Sequence, residues 1–330
     1  MNVDLNPVHY RANTQTVVKP VNFVLNAGGI GDYICALTAL EWVARTQFHV
    51  KPTIYSPKFF LEIAQNAFLK HPNVEIKDKI YFDIATDLKD PTYCPQYECT
   101  INGTGTHLVD MGFINYCNLS GVPEGESGNY LRLNLDNVEI HRFNLPKKFM
   151  VLTPCSTEKA RTMNHQLFND IQDYAISQGI TPVYIGREDF APGRTAKMEK
   201  GYDLSRGINL VNKTTLLEAA KIMDQAVSVM GVDNGMLHLA AMTKAPLVFG
   251  YTIVSPKFRQ PIRPDNTITV NIVPDKKALP CLFCMENMRY FFNHNFKECI
   301  YKDEMCVKVL AQDVDVWKQA LDICCEGLHE

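Results

Sequence analysis

Val227 to Tyr251, VSVMGVDNGMLHLAAMTKAPLVFGY, is the stretch whose reading decides the fold. Val227 to Val232 is a β-rich run, and Asp233-Asn234-Gly235 carries turn and N-cap chemistry. Met236, Leu237, Leu239, Ala240 and Ala241 then open a helix that gives way to a second apolar run ending at Tyr251. Strand, tight turn, helix and strand make a parallel crossover. The free N–H groups of the first helical turn and the positive end of the helix dipole act together, so an anion suits the space above the sheet edge. His238, one turn in, stands close enough to add a donor. An ordinary βαβ connection with a surface histidine fits the same residues.

Outward from that stretch, strand and helix signals alternate. In the first half, Val21–Leu25 reads as a strand that runs into Asn26-Ala27-Gly28-Gly29-Ile30-Gly31-Asp32 and the amphipathic helix Tyr33 to Arg45. Thr53–Tyr55, Phe59–Phe68, Val74–Ile76 and Cys99–Asn102 continue the alternation, and Gly103-Thr104-Gly105-Thr106-His107 leads into a helix from Leu108 to Leu119. Leu131-Arg132-Leu133 reads as a last strand before a linker. In the second half, Phe149–Thr153, the helix Gln166–Ser177, Pro182–Ile185 and the helix Thr214–Gln225 lead back to the opening stretch. Such alternation predicts doubly wound parallel sheets. At 330 residues the chain is comfortable as two α/β units, each with its own core. The boundaries read as 1–146, 147–311 and a terminal helical segment, 312–330.

Composition excludes several classes. Charged residues at 21% and hydrophobic residues at 46% describe an ordinary globular protein. No opening segment has signal-peptide order and no apolar run reaches spanning length, so the expected compartment is the cytoplasm. A net charge of -3 argues against a general nucleic-acid coat. A modest basic track of Lys257, Arg259, Arg263, Lys276 and Lys277 remains.

The chemistry gathers at strand ends. The Gly29-Ile30-Gly31-Asp32 loop has neither dinucleotide-binding spacing nor a lysine after its last glycine. The residue after that glycine is a carboxylate, which would repel a phosphate but suits taking a proton from a hydroxyl; Asp32 reads either as that base or as a helix cap. His107 faces the same sheet edge, as a substrate contact or as a plain helix-entry residue. In the second half, Ser156, Lys159 and Arg161 put a hydroxyl and two cations at a strand's carboxyl end, where open sheets bind ligands. Glu188, following Gly186, suits a ribose diol or a solvated loop.

These residues resemble glycosyltransferase family nine, the heptosyltransferases. The strongest block is NKTTLLEAAKIMDQAVSVMGVDNGMLHLAAMTKAPLVFGYT, Asn212 to Thr252, with a DxGxxH pattern at Asp233, Gly235 and His238. Gly31-Asp32 resembles the family's GDxxxxxP loop, with Thr38 where proline is usual, and Asn234 stands where threonine is commoner. Ser156 and Lys159 resemble its TxxSxxKxW-like loop, and Gly186 and Glu188 its G-x-E strand end. The resemblance implies a GT-B architecture, two Rossmann-like domains facing a cleft, and an inverting transferase using a nucleotide-diphosphate sugar. On that reading Asp32 is the general base, with Gly29, Gly31 and His107 on the acceptor side. Lys159, Asn234 and Gly235 hold the diphosphate beside Ser156, Arg161 and Asp233, His238 supports them, and Gly186 and Glu188 face the nucleoside. No divalent cation is needed. The hydroxyl acceptor stays open among a lipopolysaccharide-type glycan, a protein and a hydroxylated base in DNA. A nucleotide-binding scaffold that has lost catalysis is the alternative. Nothing in the chain fixes the oligomeric state.

Cys281, Cys284, Cys299 and Cys306 give C-x2-C-x14-C-x6-C. A CxxC turn and two later thiols suit one structural tetrahedral metal, zinc or iron, while disulfides or free thiols remain the alternatives. The closing helix, Val314 to Cys325, is expected to cross back to the first half, as in GT-B proteins.

Overall fold

The computed structural model describes residues 19–25, 29–47, 49–81, 92–93, 109–110, 113, 116–117, 128–156, 158–187, 201–264, 266–286, 299 and 305–327. The first half runs β1 (Lys19–Val24), α1 (Ile30–Thr46), β2 (Val50–Ser56), α2 (Leu61–Ala67), β3 (Glu75–Asp78) and β4 (Thr92–Tyr93). Its strands pair in the order β3-β2-β1-β4, every pair parallel. The second half runs β5 (Phe149–Thr153), α3 (His165–Ser177), β6 (Thr181–Tyr184), β7 (Ile208–Asn209), α4 (Leu216–Asp224), β8 (Val229–Val232) and α5 (Gly235–Ala241). β9 (Leu247–Gly250), α6 (Pro256–Arg259), β10 (Thr269–Ile272), α7 (Met305–Leu310) and α8 (Val314–Glu326) follow.

The second sheet has the order β10-β9-β8-β5-β6-β7, again all parallel. Counted within that half, this is the doubly wound order in which the third, second and first strands are followed by the fourth, fifth and sixth. Its winding reverses between β5 and β8. In the first sheet the reversal lies between β1 and β4. Ligands of such sheets bind beyond the carboxyl ends at the reversal, so the segments after β1, β5 and β8 are the ones that count.

Local chemistry explains the elements. β5, β8 and β9 are buried at every residue, as central parallel strands covered on both faces must be. Asn164 caps α3 by accepting from the Gln166 and Leu167 amides. Thr215 and Glu218 form a reciprocal capping box on α4. α3 ends where Gly179 turns left-handed at φ 67°, a conformation that disfavours any residue with a Cβ. Of the expected helix Leu108 to Leu119, the described residues Val109, Phe113, Tyr116 and Cys117 are helical and buried at helical spacing.

Two expectations differ. Leu131-Arg132-Leu133 pairs in neither sheet; the segment bridges the halves instead, the Tyr130 amide donating to the Ile262 carbonyl and the Leu133 amide to that of Met242. Those two amides are engaged by the second half and so are lost to a ladder in the first. α8 packs on α3, β9 and β10, burying Trp317, Leu321 and Cys324 in the second half's own core, and the Tyr174 hydroxyl bonds to Asp322 at 2.8 Å. Residues from both halves share one larger apolar core, which runs from β1 through α1 and α5 to β8 and β9. No helix among the described residues is long and apolar enough to cross a membrane.

Candidate active site

The two reversal points meet where the N-terminus of α1 lies on the N-terminus of α5. The contact is closer than side chains allow. A Cβ on Gly235 would fall 2.2 Å from Ile30 Cγ2, and one on Gly31 would fall 2.8 Å from His238 Cδ2. Those two glycines therefore serve the junction between the halves. Gly29, by contrast, caps α1 from an extended conformation and sits beside Asp32, 3.8 Å separating its Cβ position from Oδ2.

Asp32 stands in the first turn of α1 and faces the second half. Burial pushes its carboxyl pKa above the ordinary carboxylate value, against the pull of Arg259 and Arg161, while Asp233 and Glu158 add to the rise. Asp32 makes no ion pair among the described residues. Asp233, at the end of β8, is different. Arg161 Nη1 lies 3.3 Å from its Oδ2 and 3.2 Å from its carbonyl oxygen. Burial alone would raise this carboxyl too, but Arg161, Arg259 and His238 outweigh it and hold the pKa below the usual value. Its second oxygen, Oδ1, is buried without a hydrogen-bond partner. Glu158 grips the other side of Arg161, Oε2 accepting from Nε at 2.9 Å, so the guanidinium is fixed between two carboxylates.

The remaining expected residues divide. Lys159 is exposed on the same turn as Arg161, and Ser156 is buried just after β5. Gly186 lies two residues beyond the end of β6, where its carbonyl accepts from the Asn212 amide. Asn234 does not reach toward a ligand: its Oδ1 caps the Met236 and Leu237 amides and its Nδ2 donates to the carbonyls of Thr153 and Cys155. A four-way engaged amide has nothing left for a phosphate, and the capped N–H groups are two of those an anion would need. His238 is buried between the halves, with Nδ1 3.1 Å from the Tyr130 hydroxyl and 3.7 Å from Cys35 Sγ. Glu188 and His107 lie outside the described residues.

One participant was misplaced by sequence reasoning. Arg259, counted in a surface basic track, ends α6 inside the molecule and acts on the charges of Asp32, Asp233 and Arg161. Its position on a short helix after β9, beside β8, is the signal that could have found it. Arg263 also leaves the track, donating to the carbonyls of Thr243, Ala245 and Ile268. Lys257, Lys276 and Lys277 remain exposed.

The cysteines lie behind the Lys159–Arg161 turn. The Phe283 amide donates to the Thr252 carbonyl and the Met285 amide to that of Ile253, tying the Cys281–Cys284 turn to the segment after β9. Thr252 Oγ1 donates to the Ala160 carbonyl at 2.6 Å, and Cys306 Sγ approaches the same oxygen at 3.8 Å. The four thiols feel one another: burial first, then Cys281 and Cys299, push Cys284 up to about 11, and burial, then Cys284, Cys299 and Cys281, push Cys306 up to about 12. Cysteine sulfurs are the donors that soft metals take. No group of three or more His, Cys, Asp or Glu is placed as a ligand set among the described residues.

The family model described as glycosyltransferase family 9 (heptosyltransferase) matches residues 92–286. Lipooligosaccharide heptosyltransferase 2 of Haemophilus influenzae is 27% identical over 111 residues, 33% of this chain and 32% of that protein. The match thus spans about a third of that relative's length. Among solved structures, the dodecameric iron-containing heptosyltransferase TibC, from enterotoxigenic E. coli and in complex with ADP-D-beta-D-heptose, superposes with a TM-score of 0.69 at 15% identity, covering 94% of this chain and 78% of that one. The family 9 glycosyl transferase of Veillonella parvula gives 0.64 at 14% identity, covering 94% and 100%. E. coli ADP-heptose lps heptosyltransferase II gives 0.51 at 16%, covering 76% and 89%. Identities this low speak for a shared GT-B fold.

Proposed function

The chain belongs to glycosyltransferase family 9, the heptosyltransferase family, and from that membership we propose that it transfers a sugar from a nucleotide diphosphate to a hydroxyl acceptor with inversion. The observation that carries the reading is Asp32, a desolvated carboxylate from the first half, facing the half-buried Arg161 and the buried Arg259 of the second. The matched residues 92–286 include both arginines but not Asp32, so the base is assigned on geometry.

In the proposed step Asp32 takes the acceptor hydroxyl's proton as that oxygen bonds to the anomeric carbon. The bond from that carbon to the diphosphate breaks, and the diphosphate leaves with the electron pair. A raised pKa makes Asp32 a stronger base than an exposed carboxylate. Arg259 and the exposed Lys159 supply positive charge where the leaving group's negative charge grows, the part a divalent cation plays elsewhere. Because TibC is seen with ADP-D-beta-D-heptose, an ADP-heptose is the first donor to try. With Arg259 and Arg263 turned inward, a glycan or protein hydroxyl is favoured over a DNA base as acceptor.

Cys281, Cys284, Cys299 and Cys306 would hold a structural zinc or iron. When bound, the metal would cross-link the turn that supports the Ala160 carbonyl, between Lys159 and Arg161. Stoichiometric zinc or iron in purified protein checks this; less than about one tenth of an equivalent of either removes the metal.

The transfer is tested by following nucleotide release from ADP-heptose and other nucleotide sugars in EDTA, with the product's anomeric configuration read by NMR. Turnover with inversion is expected. Retention of configuration, or activity abolished by EDTA and restored by magnesium, overturns the mechanism. Binding of nucleotide sugars without release points to the scaffold instead.

A further inference from the structure

A separate cavity of about 410 Å³ opens at the other end of α1, lined by Glu41 and Arg45 of α1, Lys70 and His71 beyond α2, and Tyr130 and Arg132 of the bridging segment. From Asp32 to Arg45 is 13 residues, roughly 20 Å at 1.5 Å per residue, and none of Asp32, Lys159, Arg161 or Asp233 lines this space.

Its charges are unequal. Glu41 is the lone carboxylate in the lining, and it is already engaged by His71 at 3.2 Å and Arg45 at 3.6 Å. Lys70 and Arg132 have no ion pair among the described residues. Arg132 Nη1 is buried with no hydrogen-bond acceptor, which is a costly state for a charged donor. Burial also weakens the guanidinium's hold on its proton, with Asp224 opposing. Gly128 shapes the wall, since a Cβ there would fall 2.6 Å from Arg45 Nη2. Cations exceed carboxylates, one donor is orphaned, and the volume matches a small metabolite.

We propose that this cavity binds a compact anion bearing a phosphate or carboxylate group, with Arg132 and Arg45 donating to its oxygens and Lys70 closing over it. Two sources supply that chemistry: free inorganic phosphate, and a phosphorylated sugar. Guanidinium and ammonium donors to an oxyanion make charge-assisted hydrogen bonds, stronger than neutral ones, so removing one weakens binding about tenfold.

The test is thermal shift of the full chain with inorganic phosphate and with glucose 6-phosphate, using wild type, Lys70→Gln, Arg132→Gln and Lys159→Gln. Both anions should raise Tm in wild type and in Lys159→Gln, with apparent affinity about tenfold weaker in Lys70→Gln and Arg132→Gln. A larger response to glucose 6-phosphate identifies a phosphosugar, and an equal one identifies the free ion. No shift in wild type, a shift unchanged by Lys70→Gln and Arg132→Gln, or one lost in Lys159→Gln overturns the proposal. Should Arg132→Gln fail to fold, the exposed Lys70 decides alone. Because the readout is anion binding, failure here leaves the transferase reading standing.

Discussion

Asp32 and Asp233 share one neighbourhood and the same two arginines, yet their carboxyls shift in opposite directions. The difference is contact. Asp233 is clamped by Arg161 at 3.3 Å and again through its own carbonyl, so its charge is held. Asp32 feels Arg259 and Arg161 without an ion pair, and burial prevails. Two carboxylates pushed apart by environment take different roles: one stays ionised as part of the frame, and the other is ready to accept a proton.

The largest effect expected from breaking this contrast is in Asp32→Asn. Removing a general base should lower kcat by about 10²- to 10⁴-fold, with nucleotide binding retained. The same change should raise Tm at neutral pH. A folded-state pKa above the unfolded one means folding favours the protonated carboxyl; that stability is present at low pH and lost as pH rises through the folded pKa. Asparagine removes the cost of the buried charge, so the gain in Tm should shrink on acidification. Calorimetry across pH, beside steady-state kinetics, checks both. Unchanged turnover would dismiss Asp32 as the base.

Asp233→Asn should act the other way, costing about 3 kcal/mol, because Arg161 then keeps Glu158 as its one carboxylate partner, beside the main-chain carbonyl of residue 233, and a largely desolvated cation is left half-compensated. Here the folded pKa is depressed, so the stability is present above the unfolded value and lost as pH falls through the folded one. Denaturant midpoints should therefore differ most between variant and wild type near neutrality and converge in acid. A difference that stays constant into acid would mean the clamp is not ionic.

Gly235→Ala perturbs the distance between the two carboxylates. Its Cβ would meet Ile30 Cγ2 at 2.2 Å, and such overpacking costs about 1–3 kcal/mol or moves α1, which carries Asp32. Ile30→Ala in the same chain should restore stability and most of the turnover. A double-mutant cycle with no coupling would show that the two helices do not meet there.

How much of the molecule was legible depends on the range of each interaction. β5 is found at the residues expected, Phe149–Thr153, and α3 and α4 lie within two residues of theirs, because periodicity and caps such as Asn164 and Thr215 are local. Asp32, Arg161 and Asp233 were legible as chemistry at strand ends. Their pairing was not: Arg161 and Asp233 are 72 residues apart, and Tyr130 and His238 108 apart. Asn234 was legible as an N-cap; that its Nδ2 is spent on the Thr153 and Cys155 carbonyls, 81 and 79 residues away, was not, and this takes the side chain out of a phosphate site. Arg259 was misread because a cation's burial depends on where a short helix points, which no periodicity encodes. Leu131-Arg132-Leu133 has a strand's alternation, but the flanking amides of Tyr130 and Leu133 donate to the other half.

The smallest effect separates the arginines. After burial, the strongest influence on Asp32 is Arg259 and on Asp233 it is Arg161. Arg259→Gln removes the larger pull on Asp32, so its pKa rises further and the acidic limb of the kcat/KM profile moves to higher pH. Asp233 keeps its Arg161 contact, so the stability lost in acid through Asp233 should change less than the part of the profile set by Asp32. Arg161→Gln should reverse the pattern, moving the stability profile more than the acidic limb. Profiles from the two variants that shift together would mean that the carboxylates titrate as a coupled pair rather than as base and frame, and the division between them would have to be given up.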